Sequence, residues 1–182
     1  MESDRPGGSL PLALTSFVGR EREMAEAKRL LDADRLLTLT GPGGSGKTRL
    51  ALAVASDMVG RFEDGVWLVE LVPLSDPDLV PQAVASVLGV RETPGVPLLE
   101  TLAEHLGPRH TLLLLDNCEH LIDACASLAE ALLRRCPSLS VLATSREALG
   151  VAGEILFAVP HLSLPDPHVT RKFEEHVAGF VR

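Results

Sequence analysis

Eight residues, GPGGSGKT from Gly41 to Thr48, place four glycines next to a lysine and a threonine. They match the pattern G-x-x-x-x-G-K-[ST] in full. Gly41, Gly43, Gly44 and Gly46 let a backbone wrap closely, with Pro42 and Ser45 between them, so that N–H groups point inward at an anion. A helix opening at Gly46 adds the positive end of its dipole. In that geometry Lys47 reaches the β- and γ-phosphates of a nucleotide and the Thr48 hydroxyl ligates Mg²⁺. Arg49, next in line, counts with Gly41 to Thr48 among the nucleotide-binding candidates.

Two further stretches end on side chains able to serve such a loop. TLLLLDN, Thr111 to Asn117, is an apolar run that stops at a carboxylate. In open α/β sheets ligands lie beyond the carboxyl ends of strands, which sets Asp116 beside the phosphates as a holder of Mg²⁺. Taken alone, DNCEH reads equally as a helix-capping segment. LSVLATSRE, Leu139 to Glu147, ends a second apolar run in Thr-Ser-Arg. Arg146 is a candidate sensor that tells ATP from ADP by charge; the alternative has Thr144 or Ser145 capping a helix and Arg146 in solvent.

The elements that must hold these residues follow from periodicity. Met24, Ala27, Leu30 and Leu31 fall at helical spacing, predicting a helix from Arg20 to Leu31. RLLTLT is a short strand and GKTRLALAVASDMV a helix that starts within the glycine loop. GVWLVELV is a buried strand; SDPDLVPQAVASVLGV and PLLETLAEHLG are helices, the second ended by Gly107. HTLLLLDN is a third strand, EHLIDACASLAEALLRRC a helix with Arg134 and Arg135 in its last turn, LSVLATS a fourth strand and EILFAV a fifth. Such alternation predicts an α/β fold, a mainly parallel five-stranded sheet with helices on both faces. Residues 1–16, rich in Pro, Gly and Ser, read as a flexible leader; residues 17–165 form the domain, and 166–182 a divergent tail with a short helix.

Bulk properties narrow the function. A chain of 182 residues, 46% hydrophobic and 23% charged, is long enough for one packed core. Aromatics are only 3%, so Leu, Val and Ala must build that core, and stacking platforms for single-stranded nucleic acid are scarce. A net charge of −8 argues against direct nucleic-acid binding by this segment but not against one nucleotide on a local loop. Cys118, Cys125 and Cys136 lack C-x-x-C spacing and read as buried, reduced thiols. His105, His110, His120, His161, His168 and His176 show no ligand spacing and read as surface or capping residues. Glu70 faces the site or ends an exposed strand. No apolar run has the length of a membrane span, and a cytoplasmic protein is expected.

The order SFVGRERE, LTGPGGSGKTRLA, LLLLDNCEHL and VLATSREALGVAGE resembles the nucleotide-binding module of bacterial signal-transduction ATPases with numerous domains. This module occurs in antibiotic-regulatory and LuxR-type transcriptional regulators, and its relatives include the NB-ARC ATPases. The resemblance runs from Leu10 to Pro165. It implies a three-layer P-loop NTPase fold of the ASCE type, in which the Arg146 strand lies between the phosphate-loop strand and the Asp116 strand. It also implies that FVGRE lies against adenine, with Val18, Gly19 and Arg20 as base-side contacts, whereas periodicity alone makes this stretch an ordinary helix start. Family members continue into helical, winged-helix and often DNA-binding domains, and the resemblance fades after LSLPDP. A fragment, a truncated product or a stand-alone module is therefore expected.

The implied ligands are ATP or ADP with Mg²⁺, and the implied partners are the nucleotide, further copies of the chain or regulatory proteins. A slow ATPase and a nucleotide-controlled switch both fit. Lys47, Thr48 and Asp116 neutralise charge, but many P-loop ATPases place a glutamate directly after the aspartate. That position is Asn117, a poor base, and Glu119 is the substitute candidate. No arginine finger can be named. A P-loop kinase, the third reading, calls for an acceptor site or lid that the sequence does not display.

Overall fold

The computed structural model describes residue 10 and residues 19–160. The proposed leader apart from Leu10, the tail, Val18, His161, His168 and His176 lie outside the described residues. Five strands form one sheet: β1 (Leu36–Thr40), β2 (Val66–Glu70), β3 (Thr111–Asp116), β4 (Leu139–Ser145) and β5 (Ile155–Ala158). Their order is β2-β3-β4-β1-β5, and all four neighbouring pairs run parallel. β4 thus sits between β1 and β3, as the resemblance implies. Parallel neighbours need crossovers: α2 (Lys47–Asp57) joins β1 to β2, α3 (Val80–Leu88) and α4 (Leu98–Leu106) join β2 to β3, and α5 (Ile122–Arg135) joins β3 to β4, while α1 (Glu21–Ala33) precedes β1 and no described helix lies between β4 and β5.

Continuous apolar strands make the three layers. In β3 Leu113 and Leu115 enter one core with Leu102 and Leu106 of α4 and Leu128 and Leu132 of α5. Leu112 and Leu114 point the other way, into a core with Leu31 of α1 and Leu50 and Val54 of α2. Alternate side chains point to opposite faces of a strand, so a run of four leucines serves both cores at once. All six residues of β3 and all seven of β4 are buried.

Helix ends depart from periodicity where local chemistry intervenes. The predicted helix over SDPDLVPQAVASVLGV begins as a 3-10 turn, Pro77–Leu79, because the Asp76 side chain accepts from Asp78 N at 3.0 Å ahead of the regular helix. The helix expected from Glu119 starts only at Ile122, after a 3-10 turn over Cys118–His120. Asn117, at φ 69°, is the cause: its left-handed backbone interrupts the chain between β3 and any regular helix. The C-terminus of α5 is tied to the sheet by Arg35, whose guanidinium donates to the carbonyls of Leu133 and Cys136 at 2.9 and 3.0 Å.

Candidate functional site

The loop after β1 takes the shape its glycines permit. Gly41, Gly44 and Gly46 have φ of 147°, 77° and 86°, values that residues with a Cβ rarely adopt. A Cβ on Gly41 would lie 3.0 Å from Val159 O and 3.1 Å from Ser45 Oγ, so the loop is also closed against the end of β5. Gly46 is the N-cap of α2 without a side-chain cap bond, leaving the first amides of an eleven-residue helix directed at the loop. Lys47 is 9% exposed and folds back, donating to Gly41 O at 2.8 Å and Pro42 O at 3.1 Å. Thr48 and Arg49 lie exposed on the first turn of α2.

Asp116 ends β3 on the same side of the sheet and is 7% exposed. One of its oxygens, Oδ1, accepts from Thr48 Oγ1 at 2.8 Å and from Thr144 Oγ1 at 2.6 Å. Among the described residues Asp116 has no ion-pair partner, so a buried carboxylate is held by two hydroxyls alone. Thr144 also accepts from the Asn117 backbone N–H at 2.8 Å. It therefore ties β4 to the turn after β3. The sequence pattern alone makes Thr144 a helix cap. No helix follows β4 within the described residues, and its hydroxyl sits on Asp116 instead. Ser145 does act locally, accepting from Glu147 N at 3.3 Å.

Asn117 makes no side-chain cap bond to the following turn, which removes the capping reading of DNCEH. Its amide meets His120 Nδ1 at 3.1 Å, and His120 Nε2 lies 3.0 Å from Leu71 O and 2.9 Å from Leu74 O. Glu119 Oε1 accepts from Arg146 Nε at 3.1 Å, while Glu119 Oε2 is buried without a partner. The Arg146 guanidinium in turn lies against the phosphate loop, since a Cβ on Gly43 would be 3.8 Å from its Nη2. Arg146 is two-thirds exposed yet spans from Glu119 to the loop, so it is neither simply solvated nor fixed. Val72, Asn117, Glu119, His120, Arg146 and Glu147 line a cavity of about 480 Å³ at this edge. Glu70 pairs in register with Asp116 but is an exposed strand terminus.

The other flank of the loop is closed by Arg20, which is 3% exposed. Its Nη2 donates to Ser45 O at 2.8 Å and Pro160 O at 2.9 Å, and its Nη1 is buried without a partner. The guanidinium thus links the phosphate loop to the residue where β5 is left behind. Gly19, at φ 89°, turns the chain into α1 and donates its N–H to Glu21 Oε1 at 3.2 Å.

Cys118, Cys125 and Cys136 are free and buried. Contact with the Cys125 sulfur, and then burial, push the Cys118 thiol far above its ordinary range, and burial raises Cys136. No cluster of three or more His, Cys, Asp or Glu side chains able to hold a metal occurs among the described residues. No described helix is long and apolar enough to cross a membrane.

A parallel sheet in this order, with a glycine loop running into a helix and a carboxylate on the neighbouring strand end, defines a P-loop NTPase fold. The sequence profile described as AAA domain matches residues 29–163, and the chain belongs to that family of P-loop ATPases. It is 46% identical over 151 residues to "Uncharacterized protein Rv0894" of Mycobacterium tuberculosis, covering 83% of this chain and 38% of that one. It is 45% identical over 142 residues to "Putative HTH-type transcriptional regulator Rv0890c" of the same organism, covering 78% of this chain and 16% of that one. The chain therefore spans well under half the length of these relatives. Among solved structures, the STAND protein PH0952 of Pyrococcus horikoshii, which has a tetratricopeptide repeat sensor, superposes with a TM-score of 0.59 at 17% identity, over 93% of this chain and 26% of that one. The ORC2 protein of Aeropyrum pernix, in ADPNP–ADP complexes, gives 0.56 at 14% identity, over 79% and 48%. At such identities these two likenesses describe the fold.

Proposed function

We propose that residues 17–165 form an ATP- and ADP-binding regulatory module, a nucleotide-dependent switch with slow Mg²⁺-dependent hydrolysis, working in the cytoplasm as part of a larger transcriptional regulator. The observation that carries this reading is the bridge from Thr48 through Asp116 to Thr144. It joins the phosphate loop to the two strand ends that carry Asn117 and Arg146. The relative named as a transcriptional regulator and the neighbour in ADPNP–ADP complexes support the regulator and the adenine nucleotide.

The residues fit both ligands. The loop is a cradle that a Cβ at Gly41 would invade, and its lysine now occupies itself with loop carbonyls that a phosphate would replace. The Thr48 hydroxyl and Asp116 carboxylate are the hard oxygen donors that Mg²⁺ prefers, and such sites need few protein ligands because phosphates and waters supply the rest. Bound there, the cation would neutralise charge on the phosphates. In this reading Lys47 draws charge from the β- and γ-phosphates, Arg146 exchanges Glu119 for the γ-phosphate, and Asn117 and Glu119 orient the attacking water. Gly19 and Arg20, with Val18, flank the adenine side, and Arg49 follows the loop on α2.

Hydrolysis is slow in this account because an amide orients water but takes no proton, and because Glu119 must first give up its bond to Arg146. That ion pair also favours a second reading, a nucleotide-binding scaffold that does not hydrolyse. Affinity for ATP and ADP and single-turnover hydrolysis, measured on the wild type and Lys47→Ala, separate the two. We expect tight binding with turnover slower than about 1 s⁻¹ at the low end of enzyme rates, and loss of affinity of at least about tenfold in the variant. Turnover that persists in Lys47→Ala, or folded wild type that binds neither nucleotide, would refute the switch.

A further inference from the structure

His120 uses both ring nitrogens, and their partners dictate its protonation. Nε2 lies 3.0 and 2.9 Å from the carbonyls of Leu71 and Leu74, and a carbonyl only accepts. Nε2 must therefore carry the proton and donate to both. In the neutral ring that leaves Nδ1 as an acceptor. The Asn117 amide, 3.1 Å from Nδ1, must then present its Nδ2 end to the ring. Its Oδ1 end is turned away, and no described residue engages it.

Two carbonyls sequence-distant from His120 thus decide which face Asn117 shows to the cavity of about 480 Å³ that both side chains line. The carbonyls are themselves fixed: Leu71 N donates to Asp116 O at 3.1 Å and Leu74 N to Leu71 O at 2.9 Å. The Asn117 backbone is held from the other side by Thr144, and its φ of 69° directs the side chain off the line of β3. Without the ring, the amide is symmetric enough in shape to turn over, exchanging an acceptor for a donor.

We propose that His120 is a positioning residue, which locks the Asn117 carboxamide so that Oδ1 accepts a hydrogen bond from the attacking water in this cavity. The proposal rests on the hydrolytic reading given above. An amide in that role aligns the water and leaves the proton to pass to the phosphate oxygens or to Glu119, whose buried Oε2 is unpartnered. It gives DNCEH a chemical meaning: the asparagine replaces a glutamate, and the histidine three residues on supplies the orientation that a carboxylate would not need.

The test has two arms on the full chain. In ¹⁵N-correlated NMR of the histidine rings, recorded where the His120 ring is neutral, the wild type should show a protonated Nε2 and a bare Nδ1. A proton on Nδ1 in the neutral ring would overturn the proposal whether or not ATP is hydrolysed. In single-turnover assays His120→Gln keeps a donor for the two carbonyls but loses the acceptor at Nδ1. It should slow hydrolysis about tenfold with ATP affinity unchanged within about twofold. Asn117→Asp, with an acceptor on either side, should restore the rate in the His120→Gln background to within about threefold of wild type. A merely structural histidine predicts that affinity and rate fall together and that Asn117→Asp restores neither. An unchanged rate in His120→Gln would overturn the proposal too. Wild type that binds ATP without hydrolysing it would sink the hydrolytic reading, and with it the role in turnover, while the ring signature still reports the locked amide.

Discussion

In the loop from Gly41 to Thr48 every positive φ falls on glycine; in the segment from Asp116 to His120 the one positive φ, 69°, falls on Asn117. The loop is shaped largely by its own residues, with Arg20 holding Ser45 O from outside: Lys47 bonds carbonyls five and six positions back, and Ser45 N donates to Pro42 O at 3.3 Å. The Asp116 segment is shaped from afar. Its partners are Thr48, Thr144, Leu71 and Leu74, between 27 and 68 residues away in sequence. A local loop can form as soon as its strand and helix exist, whereas the second segment is correct only when β2, β3 and β4 are all in place. The difference fits the proposed function, in which a phosphate grip must be preformed while a sensing segment must answer to several neighbours.

Substitutions that exchange the two strategies should give opposite signs. Gly41→Ala forces a Cβ against Val159 O at 3.0 Å in a backbone with φ of 147°. Loss of about 1–3 kcal/mol of stability is expected, read as a lowered denaturation midpoint, together with weakened ATP binding. Unaltered stability would mean that the loop is less closed on β5 than described. Asn117→Gly does the reverse. Glycine relieves the left-handed backbone, so stability should hold or rise by up to about 1 kcal/mol while hydrolysis slows, because the amide is gone. A large loss of stability would show that the side-chain bond to His120 outweighs the backbone cost. The smallest effect is expected at the contact between the regions. Arg146→Ala breaks a largely exposed ion pair, so stability should change by no more than about 0.5–1 kcal/mol. Preference for ATP over ADP should fall in competition binding; an unaltered preference would remove Arg146 as the sensor.

The same contrast explains what sequence reading reaches. GPGGSGKT is legible because its chemistry is local: each glycine serves a backbone angle that the motif itself requires. The sheet is legible because Leu112 to Leu115 are apolar without alternation, which only a strand covered on both faces needs. Thr144 and His120 stayed hidden as site residues. A threonine near a strand end and a histidine three residues past an asparagine acquire meaning only when β4 lies beside β3 and the turn after β2 comes to meet them. Helix starts blurred for a related reason. Periodicity runs through the PDL and CEH turns alike, whereas Pro77 and the left-handed Asn117 postpone the regular helix. The resemblance implies Arg20 only as an adenine-side contact; its burial against Ser45 and Pro160 is a tertiary fact.

The account turns on the claim that the two regions meet through one hydroxyl–carboxylate pair, Thr48 and Asp116, 2.8 Å apart, and that this pair seats the cation. The most direct test is a double-mutant cycle of Thr48→Ala and Asp116→Ala, with ATP affinity measured in the presence of Mg²⁺ and again with the metal chelated. Strong coupling is expected with Mg²⁺, about 1–2 kcal/mol, so that the double variant binds scarcely worse than either single one. Without Mg²⁺ the coupling should shrink and both single variants should approach wild type. Additive losses that are the same with and without Mg²⁺ would contradict the account.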